Sequence, residues 1–364
     1  MTLTKPWVET PLVESATLSK AAGCRIFLKM ETLQPSKSFK SRGVGNLILQ
    51  SLAKSPCPDR THFYSSSGGN AGLACVHAAR SLGRPASVVV PMSTKELMIA
   101  KLRAAGATEV VQFGATWREA DAFLRMEVLV KARAKGEDAV YVPPFDHPDI
   151  WAGNSTLMDE LALQMEDVRG PDDASSAPDV LICSVGGGGL FNGIVDGIDR
   201  CGGEWDRTLL LAVETRGAES LAKSMSSREH ITLPGITSIA TSLGCTKVSD
   251  RTYELATTRK QVRSVVLSDE EAAMGCWRLA DDENVIVEPA CGVNVALCYG
   301  GRLKRALGRP VRGDDKVVIV LCGGSAITVD QLAQFKEEFG YLGDELSQSD
   351  KAGVASAVTN GSKH

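Results

Sequence analysis

The sequence has no apolar run approaching the roughly 18 residues that a membrane-crossing helix needs. Its opening, MTLTKPWVETPLVES, has no apolar stretch of the secretory kind. It also lacks the arginines of a mitochondrial presequence and carries acids at Glu9 and Glu14. The cytosol is the expected compartment, with an atypical mitochondrial import signal as the alternative. Neither sign of charge dominates: the formal net charge is -4 and no basic cluster occurs, which argues against nucleic acid as a main partner. Histidines are few, and the five (62, 77, 147, 230 and 364) have no metal-ligand spacing. The ten cysteines include no C-x-x-C pair, so neither a zinc ribbon nor a thioredoxin-type motif is present. Several lie in apolar runs, as Cys183 and Cys322 do, where a free thiol behaves as a small hydrophobe. That usage fits a reducing compartment.

What is present is the pattern of an α/β protein. The 364 residues allow two domains or one large one. Short apolar runs alternate with helical periodicity: His62–Tyr64, Ser87–Pro91, Glu109–Phe113, Val180–Val185, Leu209–Val213 and Lys316–Leu321. Near-continuous runs of this length suit parallel strands covered on both faces. Between them the periodicity predicts helices over 45–53, 71–82, 96–105 (with Thr94 as N-cap and Gly106 as stop) and 116–135. A polar Pro/Ser/Asp loop, 169–178, marks a break. The residues after about 343 are poor in apolar side chains and are expected to be a disordered tail, 343–364.

Four segments carry possible chemistry, and each alone is weak. Gln34-Pro-Ser-Lys-Ser-Phe-Lys40 places a lysine beside an aromatic, ahead of a helix. A lysine amine can form a Schiff base with an aldehyde cofactor, although a lone lysine is more often a solvated surface group. Ser65-Ser-Ser-Gly-Gly-Asn70 runs from a strand into a helix, where N–H groups and hydroxyls form an anion site or an ordinary helix cap. Ser184-Val-Gly186-Gly-Gly-Gly189 is a second strand-to-helix turn, whose four glycines let backbone amides wrap a phosphate. A dinucleotide fingerprint is the rival there, with Glu214 at the end of the next strand as the ribose-binding acid. Leu321-Cys322-Gly-Gly-Ser325 closes the last strand, and Cys322 is open to a catalytic, metal-binding or structural reading.

In order and spacing these segments resemble the fold-type II pyridoxal-phosphate enzymes (tryptophan synthase β-like). The subgroup they resemble is the eukaryotic, fungal-type L-serine/L-threonine dehydratases. The likeness runs from Thr10-Pro-Leu to about Phe335. It includes Pro143-Pro-Phe-Asp146, Ile150-Trp-Ala-Gly153, Val213-Glu-Thr215, Ile236-Thr-Ser238, Ser242-Leu-Gly244 and Glu288-Pro-Ala-Cys-Gly292.

The resemblance implies two domains, each an open, twisted, mostly parallel sheet flanked by helices. One is a large cofactor-binding domain, 1–33 plus 142–342, and the other a small domain, 34–141. It implies β-elimination of L-serine to pyruvate and ammonia, and of L-threonine to 2-oxobutyrate and ammonia, by a homodimer. Lys40 would bind pyridoxal 5'-phosphate as a Schiff base and act as general base, with Ser67 also catalytic. Phe39 and Ser242 would flank the ring, Asn70 would meet its phenolic oxygen and Cys322 its nitrogen. Gly186, Gly187, Gly188 and Gly189 would hold the phosphate. Ser67, Gly68, Asn70 and Ala71 would take the substrate carboxylate. Glu214, Ala218, Ser220 and Leu243 would bind a monovalent cation, with potassium expected.

Three departures stand out. Lys37 replaces a residue that is usually small, adding a second amine near the cofactor or one turned to solvent. Val293 and Asn294 replace small residues, either in the pocket or in its supporting shell. Nothing after about 345 resembles a regulatory domain. The rival activities are a serine racemase, a dehydratase for another 3-hydroxy amino acid and, more distantly, a dinucleotide-binding protein. Racemases of this fold have a serine for the second face where this chain has Gly68, and introducing Ser there is expected to raise any racemase side activity.

Overall fold

The structure is a computed structural model and describes residues 4–170 and 175–342. The anticipated tail, 343–364, and part of the 169–178 loop lie outside the described residues. Among the described residues ten strands form two sheets: β1 (Leu12–Glu14), β2 (Arg25–Lys29), β3 (Thr61–Ser65), β4 (Ala86–Val90), β5 (Glu109–Gln112), β6 (Asp138–Val142), β7 (Val180–Ser184), β8 (Leu209–Thr215), β9 (Val262–Leu267) and β10 (Lys316–Val320). The six-stranded sheet has the order β1-β2-β10-β7-β8-β9, and the four-stranded one β5-β4-β3-β6. Among the described strands only the β1–β2 pair is antiparallel. β4, β7 and β10 are buried at every position, which is why their sequences read as unbroken apolar runs rather than alternating ones.

Each sheet has a place where the winding reverses. In the larger, β7, β8 and β9 run outward one way and β10 and β2 the other, so the switch lies between β7 and β10. In the smaller, β3, β4 and β5 run one way and β6 lies on the other side of β3. Loops leaving the carboxyl ends of strands diverge at such points and open a crevice. The four loops concerned are those after β3, β6, β7 and β10.

The helices follow the sequence with three differences. The helix expected from Gly45 begins at Lys40 and runs Lys40–Lys54. Gly43 and Gly45 depress helix propensity, but both are packing requirements. A Cβ on Gly43 would lie 2.7 Å from Asn154 Oδ1, and one on Gly45 2.8 Å from Pro6 Cγ. The cap before Glu96–Ala105 is Lys95 rather than Thr94, and Gly106 ends that helix in the left-handed region, at φ 99°. The long 116–135 helix is interrupted by a π-turn at Leu124–Val128.

Candidate active site

Phe39, Lys40, Asn70, Ala71, Phe145, Ser184, Gly186–Gly189, Leu190, Ser242, Leu243, Glu288, Ala290, Cys322 and Gly323 line one pocket at the two facing switch points. Sequence positions nearly 300 apart thus meet: the segments after β3, β6, β7 and β10 supply Asn70, Phe145, Gly186–Gly189 and Cys322, and Lys40, Ser242 and Glu288 join them from elsewhere in the chain.

Lys40 opens its helix and reaches across the pocket, where Nζ donates to the Pro144 carbonyl at 2.6 Å. The residue is only partly buried, and it lines the pocket. Burial disfavours the ammonium form and lowers its pKa to about 8, against the opposing pull of Cys245, Cys322 and Glu288. The backbone before it is fixed by the last strand's loop: Phe39 N–H donates to Cys322 O at 3.1 Å, and Ser38 bridges Gly323.

The glycine loop is shaped by contact as well as by flexibility. A Cβ on Gly187 would lie 2.3 Å from the Phe145 ring, and one on Gly188 1.8 Å from Thr252 Oγ1. Gly188 also sits at φ 96°, a conformation that L side chains resist. The N–H groups of Gly186 to Gly189 donate to no protein acceptor among the described residues. They open the helix Gly189–Cys201, so its positive end faces the same space. A row of free donors in a cradle closed to side chains fits a phosphate.

Asn70 opens the helix Asn70–Ser81 and is engaged across the cleft. Its Nδ2 donates to Ser242 Oγ at 3.2 Å and to Glu288 Oε1 at 2.8 Å, while Oδ1 accepts from Ser325 N–H at 2.9 Å. Cys322 lies 3.5 Å from Ser184 Oγ, with its Sγ 3.8 Å from Ala290 O. Ser67 and Gly68 belong to the adjoining loop: Ser67 Oγ accepts from Gly69 N–H at 3.3 Å, and Ser66 Oγ donates to buried Asp121 at 2.6 Å. A Cβ on Gly68 would meet Thr94 Cγ2 at 2.8 Å and Val90 Cγ1 at 3.2 Å. A serine there is therefore crowded, contrary to the simple expectation that it would add a free second-face hydroxyl.

Glu214, Ala218 and Ser220 do not line the pocket, although Leu243 does. Glu214 is fully buried and accepts from Leu221 N–H at 2.8 Å and Ala222 N–H at 2.7 Å. Burial raises its pKa to about 8, with those two amides opposing. Ser220 Oγ beside it is buried without a hydrogen-bond partner.

Lys37 is exposed, at φ 63°, and the field of its ammonium helps lower the pKa of His77, after burial and together with Arg80. Of the two alternatives, its solvent-facing placement is the one seen. Val293 and Asn294 are wholly buried and line no part of the pocket; Asn294 Nδ2 donates to Val320 O at 3.3 Å. They support the strand that carries Cys322. Glu288 and Phe145, which sequence reasoning quoted without a role, are pocket residues. The signal for Glu288 was an acid directly ahead of Pro at a helix start, a place where a carboxylate can face a cleft.

A family profile described as "Pyridoxal-phosphate dependent enzyme" matches residues 3–323, and the chain belongs to that family. Its closeness to particular members is substantial. It is 40% identical over 329 residues to the catabolic L-serine/threonine dehydratase of Saccharomyces cerevisiae, covering 90% of this chain and 89% of that one. It is 41% identical over 337 residues to a human serine dehydratase-like protein, covering 92% and 95%. A fungal L-serine ammonia-lyase from Rhizomucor miehei superposes with a TM-score of 0.79 at 32% identity, over 92% of this chain and 100% of that one. The fold is accordingly fold-type II. The match removes the dinucleotide reading of the glycine loop, and Glu214, turned into a helix N-terminus, is already engaged.

Proposed function

We propose that this protein is an L-serine/L-threonine ammonia-lyase, converting serine to pyruvate and ammonia and threonine to 2-oxobutyrate and ammonia. The observation that carries the reading is the Lys40 amine, held in the same pocket as a cradle of free glycine amides. The names of the similar proteins support the substrate class. Bound pyridoxal phosphate supplies a carbonyl carbon for an amine and an electron sink for the adjacent Cα.

This chain's residues do the rest. Gly186–Gly189 would hold the phosphate, Phe39 and Ser242 would flank the ring, and Asn70 would meet the phenolic oxygen. Cys322 would face the ring nitrogen, and because a thiol is a weak donor it would leave that nitrogen largely unprotonated. Ser67, Gly68, Asn70 and Ala71 receive the substrate carboxylate at a helix N-terminus. Lys40, with its pKa lowered to about 8, takes the Cα proton as general base. The β-hydroxyl leaves with a proton passed to it in the pocket, so that Cα–H and Cβ–OH together make one water, and a second water hydrolyses the released imine to the keto acid and ammonia.

Glu214 and Ser220, with the backbone about Ala218 and Leu243, are the ligands we assign to a potassium-type cation. The unpartnered Ser220 hydroxyl is the support for this. We further assign residues 34–141 to a small domain and 1–33 plus 142–342 to a large one, and a homodimer in the cytosol as the working form. No helix among the described residues is long and apolar enough to cross a membrane. The test is product analysis over a panel of 3-hydroxy amino acids with wild-type protein and Lys40→Ala. Keto acid from serine and threonine, lost in the variant, is expected. Keto acid only from a bulkier or acidic substrate would reassign the specificity.

A further inference from the structure

The loop after β10 is held from two sides. Within the six-stranded sheet's own side, Glu288 Oε2 accepts from Ala326 N–H at 3.1 Å, and Gly324 passes so close that a Cβ there would lie 2.0 Å from Glu288 Cδ. From the side of the four-stranded sheet, Asn70 Oδ1 takes the Ser325 N–H at 2.9 Å, and Lys101 Nζ donates to the Ser325 carbonyl at 2.5 Å. Both polar groups of one peptide-linked residue are thus captured by side chains of the opposite sheet's helices. Lys101 comes from the helix Glu96–Ala105, is half-buried and lies in none of the motifs. Its charge also reaches Glu288 and favours that carboxylate's ionised form, while burial is the larger effect and opposes it.

We propose that Lys101 is a positioning residue for the cofactor pocket: by gripping Ser325 beside Asn70 and Glu288, it sets the loop that carries Cys322. The geometry gives a chain of contacts from Lys101 to the pocket. Ser325 follows Gly323 and Gly324, whose backbones meet Ser38 and Lys37, and Lys37 O accepts the Gly324 N–H at 2.9 Å. Loosening Ser325 therefore frees Cys322 on one side and the segment leading to Lys40 on the other. The bond crosses from a helix packed on the four-stranded sheet to the loop after the last strand of the six-stranded one. A cationic donor to a neutral carbonyl is stronger than an ordinary amide bond, which suits a contact that must hold two bodies in register.

The inference rests on the pocket being the cofactor site, not on the identity of the substrate. The experiment compares Lys101→Met, which keeps length and loses charge, with Lys101→Arg, which keeps charge and donor. Arg103→Met, on the exposed side of the same helix, is the control. Purified holoenzymes are desalted, and pyridoxal phosphate retention is read from near-ultraviolet and visible absorbance. Melting temperature is measured with and without cofactor. Lys101→Met is expected to lose cofactor about tenfold more readily, as one charged hydrogen bond implies. The rise in melting temperature on cofactor binding should shrink, while the cofactor-free value stays near wild type. Lys101→Arg and Arg103→Met should match wild type.

Wild-type retention in Lys101→Met would overturn the proposal. So would equal losses in Lys101→Met and Lys101→Arg, or a Lys101→Met defect seen equally without cofactor, which would mark a general structural role. If Lys101→Met does not fold, Lys101→Gln carries the same comparison. Because no readout needs turnover, a protein inactive on serine but behaving as expected here would refute only the substrate assignment.

Discussion

Arg42 and Glu31 are both fully buried, with Arg42 Nη2 2.8 Å from Glu31 Oε1. The pair is part of a larger cluster in which Arg42 Nη1 meets Glu160 at 2.6 Å and Lys29 Nζ meets Glu160 at 2.7 Å. Two cations face two anions, so the cluster is neutral. Arg42 lies in the first turn of the Lys40 helix, and the cluster fixes that turn to β2 and to the helix Pro148–Asp167. Removing one partner leaves a buried charge without compensation. Arg42→Met is expected to cost about 3–5 kcal/mol of folding stability, read from urea denaturation. The double variant Arg42→Met/Glu31→Leu should recover part of it. A single-variant loss within about 0.5 kcal/mol, the range of ordinary surface changes, would show that the pair is not supporting the helix.

Lys40 should be the residue that captures the cofactor. Borohydride reduction and peptide mass analysis should place the label on Lys40 and not on exposed Lys37. Only the neutral amine attacks an aldehyde. With a pKa of about 8 in place of 10.5, roughly 10% is neutral at pH 7 against about 0.03% for an ordinary lysine. The rate of cofactor capture should rise with pH and level off just above 8. A rate still climbing tenfold per unit between pH 9 and 10 would mean the amine is not desolvated as described.

Gly188→Ala should lose cofactor while retaining a folded sheet. The added methyl falls on Thr252 at a positive-φ position, and overpacking of this kind costs about 1–3 kcal/mol, equivalent to roughly a 5- to 140-fold weaker cofactor complex. Titration of the cofactor-free protein with pyridoxal phosphate measures it. Unchanged affinity would show that the phosphate lies elsewhere.

If Glu214 and Ser220 hold a cation, turnover should require potassium or ammonium, and Glu214→Gln should blunt the dependence. Equal rates in sodium, potassium and a bulky organic cation would remove the assignment.

With L-serine, pyruvate should exceed D-serine, since Gly68 presents no hydroxyl to the second face. The contact between position 68 and Thr94 sharpens this. Gly68→Ser alone should slow elimination without yielding D-serine, because its side chain collides with Thr94. Gly68→Ser/Thr94→Ala, which clears that space, should raise D-serine. Predominant D-serine from the unaltered protein would refute the dehydratase reading while leaving family and cofactor intact.

The strands were legible because β4, β7 and β10 are buried on both faces, and burial leaves an apolar run whatever the partners. The glycine loop was legible because four successive glycines have few structural explanations. What the sequence hid was contact at a distance. Gly43 and Gly45 read as helix breakers until Asn154 and Pro6 are seen against them. Lys101 and Glu288 look like surface charges until the loop at Ser325 is placed between them. Lys37 was ambiguous because direction, which decides whether an amine faces cofactor or solvent, is not encoded in spacing.

The pairing of β2 with β10 sets Ile26 beside Val317. During synthesis, β2 emerges early with only the three-residue β1 to cover one edge. Its other edge must wait for a partner about 290 residues later, and pairings of such separation are slow to form. Until then Ile26, Phe27 and Leu28 expose an apolar strand to whatever else is in the cell. The four-stranded sheet, built from one continuous stretch, carries no such delay. Newly made chains should therefore spend their most aggregation-prone interval with the smaller sheet formed and the larger one open, which makes the final strand the step that chaperones must protect.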